Sequence, residues 1–216
     1  MAFSPPHIQA LVTASGDSTA KLWRLSGEPL VELHGHTDAV RSVAFGGAEG
    51  SVVATGSGDR TVRLWDLTAR SCVTVLQHGA SVASLAPLQG GGLASGCSDG
   101  CVYVWGLGAG AAVLVAKLET GRRSVQALSV LPNGLLASGS DDTVRVWDVG
   151  ARACVAELRG GHKGWVVALA ALPDGRLASG SNNGEDGVVL WELTDSYKGE
   201  GRGAVVAPPN EECAVA

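Results

Sequence analysis

Apolar and polar positions alternate along most of the chain, in short runs broken by turn residues. Val52-Val53-Ala54-Thr55 is apolar and β-branched, and Ser57-Gly58-Asp59-Arg60 supplies turn residues. Thr61 to Trp65 alternates, with Val62 and Leu64 facing one way and Arg63 and Trp65 the other. This pattern predicts two strands joined by a tight turn. It recurs: LVTASGDSTAKLWR ends at Trp23, LASGCSDGCVYVWG at Trp105, LASGSDDTVRVWD at Trp147 and LASGSNNGEDGVVLWE at Trp191. Successive tryptophans lie 42, 40, 42 and 44 residues apart. Further strand-like runs fill the intervals: Pro29 to Leu33, Val40 to Phe45, Cys72 to Leu76, Ser81 to Leu85, Ala112 to Leu118, Ser124 to Leu131 and Trp165 to Leu169.

A period near 40 with a Trp-Asp ending resembles the WD-repeat family of β-propellers. The resemblance covers residues 1–197 and implies an all-β propeller of about five WD-type four-stranded blades. The repeats are placed at approximately 1–33, 34–76, 77–118, 119–158 and 159–197, with the first and last incomplete. Met1-Ala2-Phe3 matches Val43-Ala44-Phe45, so the chain is expected to begin inside its first blade. An open arc of a larger ring, or a loosely closed five-blade ring, follows from that expectation. Residues 198–216 are Gly-rich and then acidic, and are expected to form a disordered tail. Ala204-Val205-Val206-Ala207 is the candidate within it for a last outer strand.

The family's buried hydrogen-bond tetrad is matched by His36, Thr55, Asp59 and Trp65, and by His78, Ser95, Asp99 and Trp105, with the same offsets from the hydroxyl onward. An indole N–H only donates, a hydroxyl and a neutral imidazole do both, and a carboxylate accepts. A chain from Trp through Thr or Ser and His to Asp therefore satisfies every group. The first repeat keeps Thr13, Asp17 and Trp23 without the His; the fourth keeps Ser138, Asp142 and Trp147, with Gly121 at the His place. The fifth keeps His162, Ser179 and Trp191, with Asn183 at the Asp place. Hydroxyl, imidazole and carboxylate also suggest a hydrolase triad. Against this, the set repeats, no G-x-S-x-G elbow occurs, and an indole occupies the hydroxyl.

Composition narrows the function. The net charge is −5 with charges scattered, which gives no electrostatic footprint for nucleic acid. The 31 glycines suit many tight turns. The five cysteines have no zinc spacing, and Cys97 and Cys101, flanking one turn, read as small buried residues. GLGAGA after Trp105 meets a dinucleotide pattern, but a strand-like run follows where a helix is needed. No metal or cofactor is therefore expected. The N-terminus has no signal pattern and no apolar run approaches the ~20 residues of a membrane span, so an intracellular protein, cytoplasmic or nuclear and off the membrane, is expected.

The resemblance implies a non-catalytic scaffold that binds protein or peptide partners within a multiprotein complex. An alternative is a substrate-recognition subunit of a ubiquitin ligase, for which the family uses Trp-Asp-x-Arg. Trp65-Asp66-Leu67-Thr68 and Trp147-Asp148-Val149-Gly150 both lack that Arg. A third reading, an enzyme, has no recognised site to rest on. Partners in the family often dock where the inner strands begin. The positions flanking Val40, Val82, Val125 and Val166 are mostly small, and Arg41, Gln126 and Trp165 stand out as candidate partner-binding residues.

Overall fold

Each Trp-terminated unit folds as an antiparallel hairpin. In the second, Val53 lies opposite Trp65 and Thr55 opposite Arg63, and the turn closes with Arg60 at φ +66°. The computed structural model describes residues 1–3, 10–47, 50, 52–108, 111–121 and 123–193. Around the hairpins, inner and outer strands complete five antiparallel sheets. Sheet 1 holds β1 (Ala2–Phe3), β2 (Ala10–Ala14), β3 (Ala20–Arg24) and β4 (Pro29–Leu33). Sheet 2 holds β5 (Val40–Gly46), β6 (Val52–Ser57), β7 (Thr61–Asp66) and β8 (Ser71–Gln77). Sheet 3 holds β9 (Val82–Pro87), β10 (Leu93–Cys97), β11 (Cys101–Gly108) and β12 (Ala111–Glu119). Sheet 4 holds β13 (Ala127–Val130), β14 (Leu136–Ser140), β15 (Thr143–Asp148) and β16 (Ala153–Leu158). Sheet 5 has three strands among the described residues, β17 (Val166–Ala171), β18 (Leu177–Ser181) and β19 (Val188–Trp191).

One expected strand is shortened, and the run after Trp105 is a strand as expected. The fourth inner strand is shorter than the Ser124–Leu131 run. β11 runs on through Gly108 and β12 begins at Ala111, so a strand stands where a dinucleotide site needs its helix. The tail at 198–216, with its Ala204–Ala207 strand candidate, and Ala109 and Gly110 of GLGAGA lie outside the described residues. Among the described residues no helix is long and apolar enough to cross a membrane.

The sheets pack in chain order, inner strand on inner strand. Alternation gives each sheet two apolar faces. The front carries the repeat Trp and packs on the preceding sheet. Trp65 joins Ala10, Val12, Ala20 and Leu22; Trp105 joins Ala54, Val62 and Leu64; Trp147 joins Ala94, Val102 and Val104; Trp191 joins Ala137, Val144 and Val146. Each fully buried Val or Leu here contributes about 1.5–3 kcal/mol of transfer free energy. Glycine lets the faces close. A Cβ on Gly56, Gly96 or Gly139 would stand 2.7 Å from Cγ1 of Val82, Val125 or Val166 of the following sheet. Among the described residues no comparable packing joins sheet 5 to sheet 1, and Trp23 on the first front face is only half-buried.

Candidate functional site

Sheet 2 carries the complete tetrad. Trp65 Nε1–H donates to Thr55 Oγ1 at 2.9 Å, and Thr55 Oγ1 lies 2.7 Å from His36 Nε2. His36 Nδ1 lies 2.8 Å from Asp59 Oδ2. Because a carboxylate only accepts, Nδ1 carries the proton and Nε2 accepts from the Thr55 hydroxyl. Asp59 also takes the Thr37 and Thr61 amides and the Thr61 hydroxyl. Burial alone would raise the Asp59 carboxyl, but the bonds from Thr61, His36 and Thr37 outweigh it and hold it at about 2. The network ties the β6–β7 turn to the segment entering β5.

Sheet 3 departs from the expected set, and Asp99 is not a partner of His78. His78 Nε2 meets Ser95 Oγ at 2.8 Å, and Trp105 Nε1–H donates to the same oxygen at 3.1 Å. His78 Nδ1, however, donates to the Leu76 carbonyl at 3.1 Å. Asp99 instead accepts from the Tyr103 hydroxyl at 3.1 Å and from the Cys101 amide at 3.0 Å. The reason is steric and chemical. Tyr103 stands opposite Ser95, and its ring packs edge-on against His78 at 4.9 Å, placing a phenol where the imidazole would reach the carboxylate. Burial lowers the His78 imidazole below its ordinary value, so it stays neutral.

Sheet 5 corrects the expectation in the other direction. Asn183 does not take the Asp place; Asp186 comes nearest to it. His162 Nε2 and Trp191 Nε1 both meet Ser179 Oγ at 2.7 Å. Asp186 Oδ2 accepts from the Lys163 amide at 2.7 Å, the Gly164 amide at 3.2 Å and the Ser181 hydroxyl at 2.8 Å. These bonds, the Lys163 amide first, keep its carboxyl below the ordinary range. Counting forward from Ser179 misses this residue because the Asn182–Gly187 turn is longer. Counting back five from the Trp finds it, as it finds Asp142 before Trp147. In sheets 1 and 4 the Trp bond persists, Trp23 to Thr13 at 2.9 Å and Trp147 to Ser138 at 2.8 Å.

The three candidate contact residues stand on different sheets, at the ends where the inner strands begin. Arg41 sits in the bulge between Val40 and Ser42 and is exposed. Gln126 is half-buried, with its amide side chain donating to Ser124 Oγ at 2.8 Å. Trp165 is 45 % exposed, whereas the repeat tryptophans of sheets 2 to 5 are at most 8 % exposed. Asn182 clamps the Trp165 backbone, accepting from its amide at 2.8 Å and donating its own to its carbonyl at 2.9 Å. Asn182 was not legible as a site residue from the sequence; its place directly after the LASGS strand is the one available signal.

Other groups offer little chemistry. Cys97 and Cys101 are free and buried, and burial pushes both thiols up, away from the reactive thiolate. Among the described residues no group of three or more His, Cys, Asp or Glu is placed to hold a metal. A cavity of about 580 Å³ lies at the far ends of β5 and β9, lined by Met1, Phe45, Gly46, Pro87 and Leu88 among others, with no side-chain acid, base or nucleophile in its described lining.

The chain matches the family described as WD domain, G-beta repeat, over residues 27–66, 70–106, 113–148 and 152–191, together more than half its length. No curated protein matches it. It is similar in fold to the solved "Structure of U3-55K", at 24 % identity and a TM-score of 0.77, over 92 % of this chain and 63 % of that one. It is also similar to the "Crystal structure of RRP9 WD40 repeats", at 23 % identity and a TM-score of 0.79, over 97 % of this chain and 64 % of that one. The chain thus spans less than two thirds of either structure, and the likeness is one of fold.

Proposed function

Because the chain belongs to the WD40-repeat family, we propose that it is a non-catalytic platform for protein partners, with its contact rim at the ends where the inner strands begin. The observation that carries this reading is Trp165. Its ring is held out of the core on a backbone clamped by Asn182, and the blade pattern has no use for it. Tryptophan and arginine dominate binding hot spots because they bring large amphipathic or multiply donating surfaces. Arg41 and Gln126 extend the same rim on sheets 2 and 4. The Ser/Thr–His pairs that an enzyme would need are engaged by indoles and support the platform reading. Asp66 and Asp148, of the Trp-Asp pairs, accept amides of their own turns.

The test is affinity capture with the wild-type chain and with Trp165→Ala, followed by mass spectrometry and a binding isotherm for the recovered partner. The variant is expected to lose about 2 kcal/mol or more of affinity with an unaltered melt. Full retention of every partner, or unfolding of Trp165→Ala, would remove the rim from consideration.

A further inference from the structure

Sheets 1 to 4 share one register position on their third strands, and in sheet 2 alone it lacks a chemical partner. Lys21, Arg63, Tyr103 and Arg145 stand opposite the hydroxyl residues Thr13, Thr55, Ser95 and Ser138. On the outer side they stand opposite Glu32, Val75, Lys117 and Glu157. Three of these outer pairs are matched. Lys21 Nζ meets Glu32 Oε2 at 3.4 Å, and Arg145 Nε donates to Glu157 Oε1 at 2.7 Å. Lys117 Nζ lies 5.8 Å from the centre of the Tyr103 ring. Sheet 2 puts Val75 where sheets 1 and 4 put glutamate. Among the described residues no carboxylate pairs with Arg63. Its Nε is buried without a hydrogen-bond partner, and Nη1 finds only Cys72 Sγ, at 3.8 Å. The side chain is nonetheless half-buried, with its guanidinium against the exposed backbone of Gly35, where a Cβ would stand 3.1 Å from Nη1.

We propose that Arg63 receives a carboxylate side chain from an extended segment of a protein partner, docked at the outer seam of sheets 1 and 2. This surface goes beyond the rim proposed above and shares no residue with it. A guanidinium does not shed its charge, and holding it out of bulk water without an acid is costly. At this register the repeat's own answer to a cation is glutamate, so the missing group is a carboxylate rather than a larger anion. A carboxylate also matches the fork of donors that Arg63 presents. Val75, opposite the cation and 39 % exposed, suits an apolar residue beside that acid. β8 is the outer strand of its sheet and pairs only with β7 among the described residues, so an extended segment can run alongside it.

The test is selection of a random dodecapeptide display library on the full chain, after depletion on Val75→Glu. Fluorescence-polarisation isotherms then follow for the recovered peptides. These are expected to carry Glu or Asp beside apolar residues. Replacing that acid by its amide is expected to weaken binding at least about tenfold, as is Arg63→Gln. Val75→Glu supplies the missing acid from within, as Glu157 does for Arg145. It is expected to weaken binding by a similar factor, with a melt no lower than that of the wild type. Recovery of no peptide, or of peptides without an acid, overturns the proposal. So does binding indifferent to both Arg63→Gln and Val75→Glu. Loss in Arg63→Gln with full binding in Val75→Glu also overturns it, since the arginine then acts only on the fold.

Discussion

His162 Nδ1 and Asp186 Oδ2 stand 3.8 Å apart, whereas His36 Nδ1 and Asp59 Oδ2 stand 2.8 Å apart. The imidazole nitrogen in sheet 5 is buried without a hydrogen-bond partner, so this link is the weaker of the two. His36→Ala is expected to lower the urea midpoint more than His162→Ala, because it also strips Asp59 of a bonded donor. Equal midpoints would show that the 1.0 Å difference carries no energy.

Thr55 is the node of the complete tetrad. Thr55→Ala leaves the Trp65 N–H and His36 Nε2 unpaired inside the protein and is expected to cost about 1–3 kcal/mol in all. Trp65→Ala removes an indole that is 4 % exposed and is expected to cost about 3–5 kcal/mol. Chemical denaturation of the two variants checks the order, Trp65→Ala below Thr55→Ala below wild type.

Acid sensitivity is expected to arise at Asp59. Its folded carboxyl is held at about 2 against an ordinary 3.8. Between those values the unfolded chain binds a proton that the folded chain does not, so stability is full above 3.8 and drains away as pH falls toward 2. Asp59→Asn is expected to melt lower at neutral pH and to show a shallower fall on acidification. Parallel melting curves for both proteins down to pH 2 would place the acid response elsewhere.

The glycines offer a test of which joints are closed. Gly139→Ala pushes a Cβ into Val166, and Gly96→Ala pushes one into Val125 and into Ser84 of its own sheet, an overpacking of about 1–3 kcal/mol. Gly180→Ala meets only Ala168 at 3.8 Å and is expected to leave the melt unchanged. Thermal melts compare the three directly.

Much of this arrangement was legible because it repeats. The alternation through Trp65, Trp105, Trp147 and Trp191 set strand direction and faces, and one tetrad followed from donor–acceptor chemistry at fixed spacing. What escaped the reading lay in side-chain reach and turn length. His78 precedes Asp99 by two residues fewer than His36 precedes Asp59, but spacing alone does not say that Tyr103, where sheet 2 has Arg63, takes the carboxylate. The turn at Asn182–Gly187 displaces the aspartate from the expected offset, so position 183 pointed to the wrong residue. The clamp of Asn182 on Trp165 depends on how that turn folds back, which strand periodicity does not encode.

The glycine–valine joint also has a hereditary consequence. Excising Cys97 through Gly139 would leave Gly96 followed by Ser140, and Gly96 would then face Val166 as Gly139 does now. A tandem duplication of the same stretch would likewise set Gly139 of the first copy against Val125 of the second, a glycine–valine joint of the same kind. Gain or loss of one whole unit is therefore silent at every seam, while a cut that falls inside a unit leaves a glycine without its valine. Blade number in such a chain can drift by unequal recombination without any seam having to be reinvented.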